Sequence, residues 1–242
     1  MANFNTHLTF AAAASGMLST LCLGAGLIDT GTALGLTAIG TIGGVLPDVD
    51  LKYAWPSRII FTSLGSMLAL LWMFSNPLEL TVLEQWASGL LVFLLIRFPL
   101  WSLFHQLTVH RGAIHSLAMG ILCGLLATVV SFHVAGASSD IAWLAGLFML
   151  TGFLLHLTLD EIYSVDFMGH RVKRSFGSAL KLFDNKRIVP SLIIMMLAFA
   201  TAWATPPYQS LWQNLISRST WSPLLERFAP EYLLSLLQTL GA

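Results

Sequence analysis

The chain has 242 residues, 56% of them hydrophobic and only 10% charged, with a mean hydropathy of +0.76. Soluble domains carry roughly a quarter charged residues, so the composition excludes an ordinary soluble enzyme and predicts an all-α, polytopic transmembrane helix bundle. The formal net charge is zero, which gives no sign of a nucleic-acid partner, and Cys22 and Cys123 lie in apolar runs without CxxC spacing, which argues against a disulfide framework or a thiolate metal site.

The first residues, Met-Ala-Asn-Phe-Asn-Thr-His, have no Lys or Arg ahead of the apolar run, unlike a cleaved secretory signal, and are read as leading into the first span. A span needs about 20 apolar residues. On that measure about seven spans are expected, near residues 8–28, 32–46, 58–75, 83–104, 113–134, 141–160 and 188–204. The second is short and follows the first so closely that the pair reads as a tilted hairpin or a re-entrant piece. Glycines crowd this region, and Gly40 and Gly44 have the small-residue spacing that lets membrane helices approach closely, a packing role without chemistry. The loops holding Asp29, Glu79 and Asp140 read as plain connectors.

Seven spans place the loops after the second, fourth and sixth on one side. That side holds Lys52, Arg58, Arg111, Arg171, Lys173, Arg174, Lys181, Lys186 and Arg187, whereas the other has Arg218 and Arg227. By the positive-inside tendency the first side, with the N-terminus, is cytoplasmic. Residues 161–187 form a basic segment in which Phe176, Leu180 and Phe183 recur at near-helical spacing, as in an amphipathic helix on an anionic leaflet; the charges either fix topology or grip an anionic substrate. We divide the chain into a membrane-embedded domain, residues 1–205, and a tail, residues 206–242, whose mix of Trp, Leu and charge suits interfacial amphipathic helices.

The ionisable residues gather at one end of the spans. His7 begins the first. Asp48 and Asp50 follow Pro47, which should stop the second helix. His105, His110 and His115 bracket the loop between the fourth and fifth. His156 and Asp160, four apart, share one stripe near the end of the sixth. His110 and His115 would diverge by about 140° on one helix, so His110 belongs in the loop and His115 in the first turn of the fifth span. His7, Asp48, Asp50, His110, His115, His156 and Asp160 are the candidate metal ligands, and His105 is read as an outer residue ordering one of them. His133 and His170 read as interfacial hydrogen bonders. So many N and O donors exceed the three protein groups one catalytic ion needs, which favours two divalent ions. A His/Asp set suits zinc, with manganese or iron open. Arg111 and Arg97 are placed to hold a phosphate, and Glu161 to act as a base or cap the helix.

Three blocks carry a resemblance. Gly-Gly-Val-Leu-Pro47-Asp48-Val-Asp50, His110-Arg111-Gly112-Ala-Ile-His115-Ser116 and Gly152-Phe-Leu-Leu-His156-Leu-Thr-Leu-Asp160 resemble, in order, the signature blocks of the LexA-regulated, YdjM-like metal-dependent hydrolases of the bacterial inner membrane. The run Lys173-Arg174-Ser175-Phe176-Gly177-Ser178-Ala179-Leu180-Lys181 looks like a hallmark of one branch. The likeness spans about residues 1–190. Ser116 enters the candidate site with its block, beside His105. The family is thought to be distantly similar to zinc-dependent phospholipases C and single-strand nucleases, which implies phosphoester hydrolysis at a multinuclear zinc site. This chain departs from many relatives at Ile114, where they have Thr, and at Leu51 and Lys52, where they have a His.

The resulting expectation is a membrane-embedded, metal-dependent hydrolase acting on a phosphoester of a membrane lipid or lipid-linked substrate at the cytoplasmic face. A metal-ion transporter would use the same ligands, but transport sites lie near the midplane between repeats, and no internal repeat is present. A non-catalytic scaffold stabilised by metal is the third reading. An intramembrane zinc protease is disfavoured because HExxH is absent.

Overall fold

The computed structural model describes residues 3–75, 80–108, 112–166, 171–172 and 180–227. Among the described residues the fold is all-helical apart from a two-residue antiparallel pairing of Val165–Asp166 with Arg171–Val172. Among the described residues, five helical stretches are long and apolar enough to cross a membrane: Phe4–Gly24, Thr30–Asp50, Trp55–Ser75, Val82–Gln106 and Ser139–Ile162. Two shorter apolar helices, Leu117–His133 and Ile188–Trp203, occupy the fifth and seventh expected positions. We name the helices α1 (Phe4–Gly24), α2 (Thr30–Val45), α3 (Trp55–Ser75), α4 (Val82–Leu95), α5 (Trp101–Leu107), α6 (Leu117–His133), α7 (Ser139–Ile162), α8 (Ile188–Trp203), α9 (Gln209–Ile216) and α10 (Arg218–Arg227).

Local chemistry sets the ends, and several fall away from the expected places. Helix α1 starts at Phe4 because the Asn3 side chain accepts from the Thr6 amide at 2.8 Å, so His7 already lies inside the helix. Asp29 caps α2 in the same way through the Thr32 amide. The second span is longer than expected, because α2 runs on into a 3₁₀ turn, Leu46–Asp50, and with it reaches 21 residues. Pro47 fits that turn's start, where its missing N–H costs nothing. The fourth span also runs through a proline: the backbone widens into a π turn over Ile96–Leu100 around Pro99 and continues as α5, a common way to absorb a ring that cannot donate. Helix α6 begins only at Leu117, capped by Ser116, so His115 precedes the helix instead of sitting in its first turn.

The core is a three-helix contact of α1, α2 and α7, with α6 against the far side of α7. Membrane helices gain little from burying apolar groups away from lipid, so close backbone approach and polar pairs carry the contact. A Cβ at Gly152 on α7 would overlap the Gly40 carbonyl oxygen on α2 and lie 2.8 Å from the Gly44 nitrogen. Only hydrogen fits there. Between α1 and α2, Thr37 donates to Ser19 at 2.8 Å and Ser19 to the Ala33 carbonyl at 3.1 Å.

The tail is docked more firmly than an interfacial helix need be. Leu211 of α9 is buried against Cys22, Ile28, Leu144 and Phe148. Asp140, read as a connector, accepts from Ser210 and Asn214, and Trp143 donates to the Pro206 carbonyl. His133 contacts the Ala204 carbonyl at 2.8 Å, the bonding role expected of it. In the basic segment, residues 180–187 are turns and irregular backbone, because the carbonyls of Lys181 and Leu182 accept the first amides of α6, from Leu117 and Ala118, and so satisfy donors a helix leaves open. Glu79, His170 and residues 173–179 lie outside the described residues, as do residues 228–242 of the tail.

Candidate metal centre

Four helix ends meet at one end of the bundle: the start of α1, the 3₁₀ turn after α2, the turn before α6 and the last turns of α7. They bring together His7, Asp48, Asp50, His115, His156 and Asp160, all buried. His7 and His156 stack face to face, with ring centroids 3.7 Å apart and 14° between planes. The His115 ring stands edge-on to His156 at 5.6 Å. His7 Nε2 lies 3.4 Å from Asp160 Oδ1, His156 Nε2 lies 3.7 Å from Asp48 Oδ1, and His115 Nε2 lies 3.9 Å from the same oxygen.

These separations suit a cation. Ligands each about 2.0–2.1 Å from a tetrahedral zinc stand about 3.4 Å apart, whereas direct N–H···O bonds fall near 2.9 Å. Among the described residues, two groups could hold a metal ion, each with its donor atoms within 4.8 Å of one another: His7 with His156 and Asp160, and Asp48 with His115 and His156. His7 Nδ1 and His156 Nε2 are buried without a hydrogen-bond partner among the described residues, a costly state for a polar atom unless an ion satisfies it.

The backbone settles which nitrogen of His156 faces the cluster. Its Nδ1 donates to the Gly44 carbonyl at 2.8 Å, leaving the Nε2 lone pair toward Asp48. Gly152 lies one turn before His156 on α7, so the close α2–α7 contact is what presents that carbonyl. The glycines therefore bear on the site's chemistry as well as on packing. Asp50 works from another direction. A 3₁₀ turn has three residues per turn, so Asp48 and Asp50 diverge and flank His115, with Asp50 Oδ2 3.4 Å from its Nδ1.

His105 takes no place among the donors. Its Nδ1 meets the Trp101 carbonyl at 2.7 Å, and its Nε2 lies 3.1 Å from Ser57 Oγ and 3.2 Å from the Val49 carbonyl. Trp101 in turn donates to Ser57. His105 thus holds the peptide between Asp48 and Asp50 from outside. Ser116 donates to the Ala113 carbonyl at 2.6 Å and caps α6, which fixes the turn carrying His115. Arg97 sits further off: Nε donates to Thr62, and the guanidinium lies over Phe98 and Trp101. Among the described residues it is linked to the cluster through Trp101, His105 and Val49. Glu161 is buried one residue beyond Asp160 and belongs to neither donor group. His110 and Arg111 lie outside the described residues.

Residues 1–205, which hold every helix of this cluster, match the family model for YdjM inner membrane proteins. The chain belongs to the YdjM inner membrane protein family. No curated protein and no solved structure matches it. Family membership and the apolar helices make it a membrane protein, and in this member the donors of all three signature blocks, as far as they are described, converge with His7 on one buried cluster. Three contributors escaped sequence reasoning. The Gly44 carbonyl is backbone, and only the Gly40–Gly44 spacing hinted at the contact that presents it; Ser57 and Trp101 left no local signal.

Proposed function

We propose that the chain is a membrane-embedded, metal-dependent hydrolase that cleaves a phosphoester of a lipid or lipid-linked substrate. One observation carries the reading: a buried cluster of His and Asp donors at ion-ligand spacing, with the tautomer of His156 set by a backbone carbonyl. His7, Asp48, His115, His156 and Asp160 would hold one or two divalent ions, zinc fitting best a donor set without thiolate. His156 enters both groups through the single nitrogen Nε2, so with two ions it serves one and carboxylates must share the rest. When bound, such ions supply Lewis acidity and a water activated near neutral pH.

The chain's own groups orient that chemistry. Gly44 fixes His156, and Asp50, against the Nδ1 side of His115, turns its Nε2 toward Asp48; ligand histidines usually have such an outer acceptor. His105 and Ser57 brace the 3₁₀ turn. Of the two arginines read as phosphate-binding, Arg111 adjoins the His115 turn in sequence and is the one we retain for substrate charge. We place the cluster at the cytoplasmic surface on the distribution of Lys and Arg, at headgroup depth.

The test is elemental analysis of detergent-purified chain together with a screen of phospholipid and other phosphoester substrates. One to two transition-metal ions per chain are expected, lost in His115→Ala with His156→Ala, along with hydrolysis that follows metal content. A metal-free protein, or metal that survives the double variant, refutes the proposal. Zinc uptake into proteoliposomes would instead favour a transporter.

A further inference from the structure

Beside the metal cluster lies a groove of about 400 Å³ that neither the cluster nor the family assignment explains. Thr108, Ala113 and Ile114 form one wall, Ile193 and Ile194 of α8 the other, and Arg187 stands where α8 begins. Ala113 and Ile114 belong to the turn that delivers His115, so this wall adjoins a donor along the chain. The groove opens on the apolar side of the molecule: Leu192, Ile193 and Met196 of α8 are 51%, 46% and 64% exposed, and for a membrane helix such a surface faces lipid.

The two polar members of the lining are distinctive. Thr108 Oγ1 is buried with no hydrogen-bond partner among the described residues. Arg187 is exposed and has no acidic partner among them, since the nearby Asp184 is taken by Lys181 at 3.5 Å and by the Lys186 amide. An apolar slot with, on its lining, an exposed guanidinium that has no acidic partner among the described residues is complementary to one kind of molecule. Its body must be a hydrocarbon chain and its head an anion that accepts hydrogen bonds from a guanidinium.

We infer that this groove seats one acyl chain of a membrane phospholipid, with Arg187 on the phosphate and Thr108 bonding the polar part near the ester. As a substrate assignment it rests on the hydrolase reading above and narrows it to acyl phospholipids, whose phosphoester the His115 wall brings toward the donors. As a binding site it stands on the groove alone.

The experiment uses the full chain in vesicles of digalactosyldiacylglycerol, a bilayer lipid without phosphate, with a trace of phosphatidylglycerol carrying a photoactivatable diazirine in one acyl chain. Labelling is expected on the peptides containing Ala113–Ile114 and Ile193–Ile194. It should fall roughly ten-fold in Arg187→Gln, the scale of losing hydrogen bonds to a charged group, and also in Ile193→Trp, which fills the slot. Unlabelled phosphatidylglycerol should compete and diacylglycerol, which has no phosphate, should not. Both variants should keep wild-type metal content, since no lining residue is a donor, and this doubles as a check on folding. Labelling spread evenly along α8 as far as Met196, or equal competition by diacylglycerol, overturns the inference while leaving the hydrolase reading intact. A chain that binds no metal yet labels at the groove in an Arg187-dependent way does the reverse.

Discussion

Replacing Gly152 with Ala adds one methyl group, yet it should disable the metal centre without touching a ligand. The new Cβ would lie 2.8 Å from the Gly44 nitrogen, 3.0 Å from the Gly40 carbonyl carbon, and closer still to that carbonyl's oxygen. Carbon contacts settle at about 3.5–4.0 Å, and because the obstacles are backbone atoms no side-chain rotation relieves the overlap. Helices α2 and α7 must part by roughly 1 Å. The hydrogen bond from His156 Nδ1 to the Gly44 carbonyl, now 2.8 Å, would then exceed hydrogen-bond range. Overpacking of this kind costs about 1–3 kcal/mol, and losing the outer partner of a ligand histidine lowers metal affinity about 10–100-fold. Thermal unfolding in detergent and competitive zinc titration read the two effects separately. Gly35→Ala is the control, because a Cβ there meets nothing within 4 Å; it should be neutral or gain up to about 1 kcal/mol from helix propensity. If Gly152→Ala melts and binds zinc like the parent, the idea that this helix contact sets the His156 tautomer is wrong.

Further expectations concern the surroundings of the donors. Asp50→Asn should weaken zinc about ten-fold or more through His115, while Asp48→Ala should abolish binding at the group it forms with His115 and His156; equal losses in a titration would place Asp50 on the metal instead. Ser57→Ala strips a buried hydroxyl that receives Trp101 and meets His105, at a cost of about 1–3 kcal/mol, and should lower zinc affinity by loosening the 3₁₀ turn; unchanged affinity would remove the bracing role. Leu211→Ala should destabilise by about 2–5 kcal/mol at constant metal content, since its cluster lies at the opposite end of α7 from His156; coupled loss of metal would contradict that separation. Stripping metal with chelator should lower the melting temperature by about 5–10 °C if the free ion had stood 100-fold above its dissociation constant, and re-addition should restore it. A melting curve indifferent to chelator would argue against a buried ion.

Much of this protein could be read from the chain alone. Apolar runs of span length fix where helices lie, since in lipid the backbone must satisfy its own hydrogen bonds, and the alternation of spans is enough to send His7, Asp48, His115, His156 and Asp160 to one end. The spacing of His156 and Asp160 is likewise a local property of a helix. What the chain could not disclose depends on contacts between distant segments. Whether Pro47 ends a helix or opens a 3₁₀ turn decides that Asp48 and Asp50 diverge around His115, and Pro99 resolves into a π turn instead of a break. Arg97 looked near the ligands in sequence, but packing turns it toward Thr62 and Trp101. Above all, the partner that orients His156 is a carbonyl, and every residue has one. Only the approach of α2 to α7 at Gly40, Gly44 and Gly152 selects which carbonyl it is.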